Sequence, residues 1–320
     1  MAFSIPQALS FALFGVPMFG ADACGFGGNT DMELCARWMQ LAAFFPFYRN
    51  HNILGAISQE PYVWRAVAEA ARTAMRARYA LLPYLYTLMA RASLYGETVM
   101  RALVWEFEAE AWLAGADRQF MLGPAVLVTP CLEQGASTVG GVFPGVAAGT
   151  RWYDWWGLGE VKGVKSGENV TIEAPLGHIP VYLRGGHVVP TQEPGMTTAE
   201  SRRNPWGLIV ALDKDGQAEG QLYLDDGESL QPETVTWVHF SATSKSISAD
   251  PTGNYVDTNA LAAVTILGLA SCPQTVRVNG NLLATEFWKY SGDAAVLSLS
   301  GLTGLFADGA WASAWEINWE

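Results

Sequence analysis

Strand and helix signals alternate up to about residue 96, and short apolar runs punctuated by Gly and Pro follow it. Polar residues also stand where the first apolar strands stop, in Gly20-Ala21-Asp22 and again in Arg49-Asn50-His51-Asn52. Together these features predict an α/β fold class followed by all-β. A (β/α) barrel builds its site at the C-terminal ends of its strands, so the first part reads as a portion of such a barrel. The rest reads as two β-sandwich-like domains.

Taking the elements in order, Ser4 is placed to cap a helix over Ile5–Phe14, with Pro6 in its first turn. Val16–Gly20 reads as a short buried strand. Thr30-Asp31-Met32-Glu33 has the form of a capping box opening a helix that carries Leu34, Trp38, Leu41 and Phe45 on one face. Pro46–Arg49 is a second short strand. A helical region from about Val63 to Tyr95 is split or kinked at Pro83 and stopped by Gly96. Then come apolar runs at Val99–Phe107, Ala125–Pro130, Val181–Arg184 and Val188–Pro190. Further runs lie at Leu208–Leu212, Gly220–Leu224, Thr234–Ala242, Ala262–Leu267, Val276–Val278 and Ala295–Leu299. Asn279-Gly280 signals a tight hairpin. A polar stretch over Gln192–Asn204 separates the two β domains, giving expected domains of 1–96, 97–195 and 196–320.

The 320 residues suffice for two domains or three small ones, and half are hydrophobic, with 13 Trp, 14 Phe and 11 Tyr to fill cores. Only 16% are charged, which argues against long disordered stretches. A net charge of −12 argues against nucleic-acid binding by counter-ion release and suits a secreted protein with neutral ligands. No apolar run reaches the roughly 18–20 residues a membrane-spanning helix needs. The apolar start lacks a basic region and reads as a domain helix, so a preceding segment is expected.

Several residues have two readings. Asp22 is either a rim carboxylate for ligand hydroxyls or an acceptor for turn amides. Phe26 stacks on a sugar or caps the core. His51, one of four histidines, contacts a ligand or supports residues that do. Cys24 and Cys35 form a disulfide or stay as two buried thiols; Cys131 and Cys272 fall in different β domains and read as unpaired. Asp225-Asp226-Gly227-Glu228 lacks the alternating ligands of a calcium loop and reads as a solvated hairpin tip. Trp152–Trp156 (WYDWW) reads as packing, with sugar binding as the alternative. Asn169-Val170-Thr171 is a glycosylation sequon. No metal-ligand spacing and no cofactor motif is present.

Seven blocks now stand in order: GADACGF (20–26), NTDMELCARWMQLAAFFPFYRNHN (29–52), QEPYVW (59–64), RARYALLPYLYTL (76–88), GETVMRALVWEF (96–107), HIPVYLRGGHVVP (178–190) and LYLDDGES (222–229), with WYDWW (152–156) between the fifth and the sixth. They resemble the α-glucosidase family of retaining glycoside hydrolases, the acid maltase and sucrase-isomaltase type, most closely secreted fungal α-glucosidases. The resemblance fades after about residue 230. It implies that the chain is the C-terminal portion of such an enzyme: the C-terminal end of a (β/α)8 barrel followed by two β-sandwich-like domains. It further implies that Asp22, Phe26 and His51 bind the sugar in subsite −1, with Arg49 and Asn50 behind them, and that Cys24 and Cys35 form the family disulfide.

The family nucleophile lies in a Trp-x-Asp-Met-Asn-Glu type motif and the acid/base in a Gly-Asp-Asn motif, and neither occurs here. Retaining hydrolysis needs two carboxylates about 5–5.5 Å apart. The resemblance therefore implies no catalytic residue in this chain, which alone is expected to be inactive. Its expected partners are an N-terminal α-glucosidase chain carrying both carboxylates and a maltose-type oligosaccharide, with no nucleic acid, membrane or cofactor. The expected location is extracellular or vacuolar-lysosomal, with a glycan at Asn169. A non-catalytic carbohydrate-binding or assembly module, or an α-xylosidase specificity, is the alternative.

Overall fold

The computed structural model describes residues 1–320, which divide into two compact units, each assembled from separate stretches of chain. One unit takes residues 1–78, 91–148 and 163–182; the other takes 79–90, 149–162 and 183–320.

In the first unit, helix α1 (Ser4–Leu13) buries Ile5, Ala8, Leu9 and Ala12, the spacing of one helical face. Its cap differs from the expectation. Phe3 occupies the N-cap without a side-chain bond, and the Ser4 hydroxyl donates to the Met1 carbonyl at 2.6 Å. Pro6 still falls in the first turn, where no intrahelical donor is lost. Val16–Gly20 forms no ladder and is not buried, since Val16 and Met18 are exposed. The pairing with the second segment is a local parallel contact: Phe47 N–H donates to the Phe19 carbonyl at 3.0 Å and Ala23 N–H to the Arg49 carbonyl at 2.9 Å. Pro17 and Pro46 each lack an N–H, which keeps this pairing short.

Helix α2 (Met32–Ala42) is capped by Asp31, not Thr30: the Asp31 carboxylate accepts from Leu34 N–H at 2.9 Å. Glu33 does not close a capping box. It accepts from the Gly135 amide at 2.8 Å and pairs with Arg37, and these contacts, the amide first, hold its carboxyl below the usual range. Of the expected face Leu41 and Phe45 are buried, but the buried surface extends to other residues. Cys35, Ala36, Met39 and Ala42 pack with Ala23, Val67, Ala70 and Ala71, while Leu34 and Trp38 stay half-buried. Small residues of α2 and of helix α3 (Arg65–Ala80) share this cluster, and Cys35 turns inward to Cys24.

Helix α4 (Leu82–Tyr95) follows α3 after a break at Leu81, two residues before Pro83, whose ring would clash with a continuous helix. Gly96 ends α4 at φ +73°, its N–H donating to the Ala92 carbonyl. Val99–Phe107 is not one strand. Met100–Arg101 pairs with Phe120–Leu122, and the chain then winds into a short helix, Leu103–Glu106. Arg101 binds the Glu106 carboxylate at 2.6 Å, which folds the chain back over this distance. Phe120–Leu122 continues antiparallel to Val126–Val128, and all six residues are fully buried.

The second unit is dominated by an eleven-stranded sheet. From one edge its strands are Asn281–Leu282, Val276–Val278, Trp315–Trp319, Ser246–Gly253, Thr236–Ala242, Ala218–Leu224, His187–Gln192, Trp206–Ala211, Leu261–Leu267, Val296–Ser300 and Trp288–Ser291. Val276 and Val278 near one edge, and Leu297 and Leu299 near the other, belong to one core cluster with Val238, Ile247, Ile266 and Ile317. A sheet whose two ends share a core must curl around it. The Thr236–Ala242 strand shows the sequence cause: Val238, Phe240 and Ala242 alternate inward while His239 and Ser241 face out. Asn279 and Gly280 take φ values of +49° and +78° between paired Val278 and Asn281, the two positive-φ positions of a type I′ turn.

Ser246–Gly253, which contains Pro251, does not stand out as a strand in the sequence. It is accommodated because its second neighbour, Trp315–Trp319, pairs only with Ser246–Ala249 and has ended before the proline.

Candidate active site

The residues expected at the barrel rim come together. Gly20 permits the close approach of the two segments that carry them, since a Cβ there would lie 1.8 Å from the Phe47 carbonyl oxygen. Two residues further on, Asp22 is bound by Arg49, with Nη2 at 2.6 Å and Nε at 3.1 Å from the same oxygen, Oδ1. Arg49 in turn lies 5.4 Å from the Phe47 ring centroid. The Asp22 carboxylate is therefore not consumed by turn amides. It is ion-paired, 22% exposed, and engaged through one oxygen only, leaving Oδ2 to accept hydroxyl protons.

Phe26 and His51 face each other at 5.5 Å between ring centroids, and both are exposed. At 45% exposure Phe26 is not a cap on the core. Ile53 N–H donates to the Phe26 carbonyl at 3.0 Å, tying the two loops together beyond the rings. Asn50 points elsewhere: its Nδ2 donates to the Gln59 carbonyl at 2.8 Å, and the Gln59 Nε2 donates back to Asn50 Oδ1 at 3.0 Å. Gln59 lies in the QEPYVW block but did not stand out as a site residue, because a single Gln carries no chemical signature. Its role depends on what surrounds it.

Cys24 and Cys35 are joined as a disulfide with a Cα–Cα distance of 4.2 Å. Cys24 itself has φ +72°, a conformation unusual for a side chain with a Cβ, on the turn between Asp22 and Phe26. Replacing both cysteines by serine is expected to lower stability by about 2–3 kcal/mol from loop closure, measured by chemical denaturation. Cys131 is buried and Cys272 exposed, both as free thiols.

Trp152 and Tyr153 are buried, and the Tyr153 hydroxyl donates to the Leu212 carbonyl at 2.6 Å. The acidic turn is not simply a solvated tip, because Asp225 is buried and accepts from the Tyr86 hydroxyl at 2.7 Å and the Gly227 amide at 2.8 Å. Asp226 binds Ser229 and the Glu228 amide, which lower its carboxyl to about 2. Asn169 is exposed at the head of Val170–Glu173. No group of His, Cys, Asp and Glu side chains is arranged to hold a metal ion.

Residues 1–88 match the glycosyl hydrolases family 31 TIM-barrel domain, and residues 96–189 match the glycosyl hydrolase family 31 C-terminal domain. The chain belongs to glycosyl hydrolase family 31. Over its whole length it is 54% identical to an alpha-glucosidase of Aspergillus niger, covering 32% of that protein. It is 52% identical, over 99% of its length, to glucoamylase 1 of Schwanniomyces occidentalis, again covering 32%. Thus this family 31 chain spans about a third of the length of the curated relatives it matches. Among solved structures it is similar to the glucosidase II alpha subunit bound to alpha3-Glc2, with a TM-score of 0.85 and 27% identity over 99% of this chain and 36% of that one. A Flavobacterium johnsoniae dextranase shares the fold, with a TM-score of 0.81 at 23% identity over 100% of this chain and 41% of that one.

Proposed function

We propose that this chain is the C-terminal part of an α-glucosidase that releases terminal α-linked glucose from maltose-type oligosaccharides with retention of configuration. The observation that carries this reading is the Asp22 carboxylate, held by Arg49 through one oxygen beside the exposed Phe26–His51 pair in a family 31 barrel segment. An ionised acceptor fixed in place binds sugar hydroxyls strongly, and more strongly as positive charge develops on the ring. Asp22, Phe26 and His51 then form part of subsite −1, Arg49 and Asn50 hold them, and the N-terminal remainder of the enzyme supplies the nucleophile and the acid/base. The alpha-glucosidase names of relatives 54% and 50% identical to this chain support the substrate class.

The domain division follows the same reading: barrel end at 1–96, a proximal β domain at 97–195 and a distal β domain at 196–320. The family matches ending at residue 88 and spanning 96–189 support the first boundary and lie close to the second. We also assign the protein to a secreted or vacuolar-lysosomal compartment, supported by the Cys24–Cys35 disulfide and the exposed Asn169 sequon. No helix is long and apolar enough to cross a membrane. A purely carbohydrate-binding module is disfavoured, because Trp152 and Tyr153 of the aromatic cluster are buried.

The test is turnover of p-nitrophenyl α-glucoside, with the product anomer read by NMR. The full-length enzyme is expected to release α-glucose, and this chain alone to show no turnover. Turnover that tracks with the isolated chain would overturn the placement of both carboxylates outside it.

A further inference from the structure

Gln59 is 4% exposed, and its side-chain nitrogen lies at the meeting point of the two loops that carry the candidate sugar-binding residues. Nε2 is 3.3 Å from the Ala23 carbonyl and 3.3 Å from the Gly25 carbonyl, which bracket Cys24 on the Asp22–Phe26 turn. It is also 3.3 Å from the His51 carbonyl and 3.0 Å from Asn50 Oδ1 on the other loop. The orientation of both amides follows from chemistry. The Gln59 carbonyl can only accept, so Asn50 must present Nδ2 to it; Asn50 Oδ1 then needs a donor, and Gln59 must present its own nitrogen. A flipped Gln59 would aim an oxygen at four acceptors.

A second observation separates this arrangement from simple space filling. Gln59 Oε1 is buried with no hydrogen-bond partner. An orphaned buried acceptor costs stability, about 1–3 kcal/mol, whereas an apolar side chain of similar length would carry no such penalty. What the amide supplies in return is a donor that both loops share.

We propose that Gln59 is a positioning residue for the sugar site: its amide fixes the Asp22–Phe26 turn and the Asn50–His51 segment at one mutual distance, so that Asp22 and His51 bind the same ring. The proposal rests on the reading of Asp22 and His51 as subsite −1 residues. Gln59 touches no substrate in this scheme and acts through the backbone carbonyls of residues 23, 25 and 51. Displacements near 1 Å at such a site are sufficient to lower rates about 100-fold.

The test uses the full-length enzyme with Gln59→Met, which keeps the side-chain length and removes the donors, together with Asp22→Ala and the double variant. Gln59→Met is expected to lower kcat/KM for p-nitrophenyl α-glucoside at least tenfold, yet to cost under threefold more once Asp22 is already alanine. Amide hydrogen exchange gives a readout independent of turnover: the Ala23 and Ile53 amides, bonded between the loops, are expected to exchange faster, while the α2 amides remain protected. A role in stability alone would instead give additive losses and uniformly faster exchange. Unchanged exchange at Ala23 and Ile53 overturns the proposal whatever the rates. If Asp22→Ala leaves kcat/KM intact, the subsite assignment fails instead, and the exchange result still decides whether Gln59 couples the loops. Should Gln59→Met not fold, Asn50→Leu breaks the same clasp from its other side, with the same expected changes.

Discussion

Asp22→Ala in the full-length enzyme is expected to lower kcat/KM for an α-glucoside at least about 100-fold, and His51→Ala at least about tenfold. A hydrogen bond to a charged group contributes about 1.5–3 kcal/mol, and 1.36 kcal/mol is one decade in rate. Asp22 Oδ2 is not engaged by Arg49 and can accept two hydrogen bonds, so its removal is expected to forfeit more than one such bond. Alanine would also leave the Arg49 guanidinium without its carboxylate, adding an unneutralised positive charge where the proposed reaction makes the sugar ring cationic. Asp22→Asn separates the two effects: it keeps the shape and loses the charge, and most of the loss is expected to remain. Steady-state kinetics on p-nitrophenyl α-glucoside and maltose measure this, and near-wild-type rates for Asp22→Ala would remove it from the sugar site.

The largest expected effect on stability lies in the second unit, at Trp311. Its ring is 5.6 Å from Trp206 and 5.4 Å from Phe240, both edge-on, and 6.2 Å from the stacked Trp315. These partners come from three strands that are not neighbours in the sheet, so one side chain joins separate parts of the shared core. Trp311→Ala should cost about 3–5 kcal/mol, the usual range for emptying a buried aromatic site. Trp311 Nε1 is buried without a hydrogen-bond partner, so Trp311→Phe removes volume but breaks no hydrogen bond and should cost clearly less. Denaturant titration of the two variants measures both. Equal, small losses would mean that the core closes without this ring.

The sequence was most legible where a local rule has one physical solution. Pro83 breaks the helix, Gly96 ends it in a left-handed turn, and Asn279-Gly280 makes the hairpin, because each depends on backbone sterics within a few residues. The alternating Thr236–Ala242 strand is legible for the same reason. The polar residues that follow the two short apolar runs, Asp22, Arg49 and His51, do lie in one region, although neither run forms a ladder strand.

Where several residues compete for one role, neighbouring sequence did not choose among them. Ser4 and Thr30 are good caps by type, but Phe3 and Asp31 stand at the caps. The face that α2 buries was set by Cys24 and by the small side chains of α3, neither of which lies within the helix itself. Asp225 was drawn into burial by the hydroxyl of Tyr86, 139 residues away in sequence.

By itself, then, the sequence determined the division into an α/β start and a β remainder, most element ends, the family, and which polar residues crowd the rim. Only the tertiary structure decided which Asp22 oxygen stays open, that Asn50 turns to Gln59, and that one buried amide ties both loops. The physical reason is range. Propensity, capping and turn geometry act over a few residues of chain, whereas the partners of a buried polar group are fixed by whatever the fold brings within about 3 Å of it.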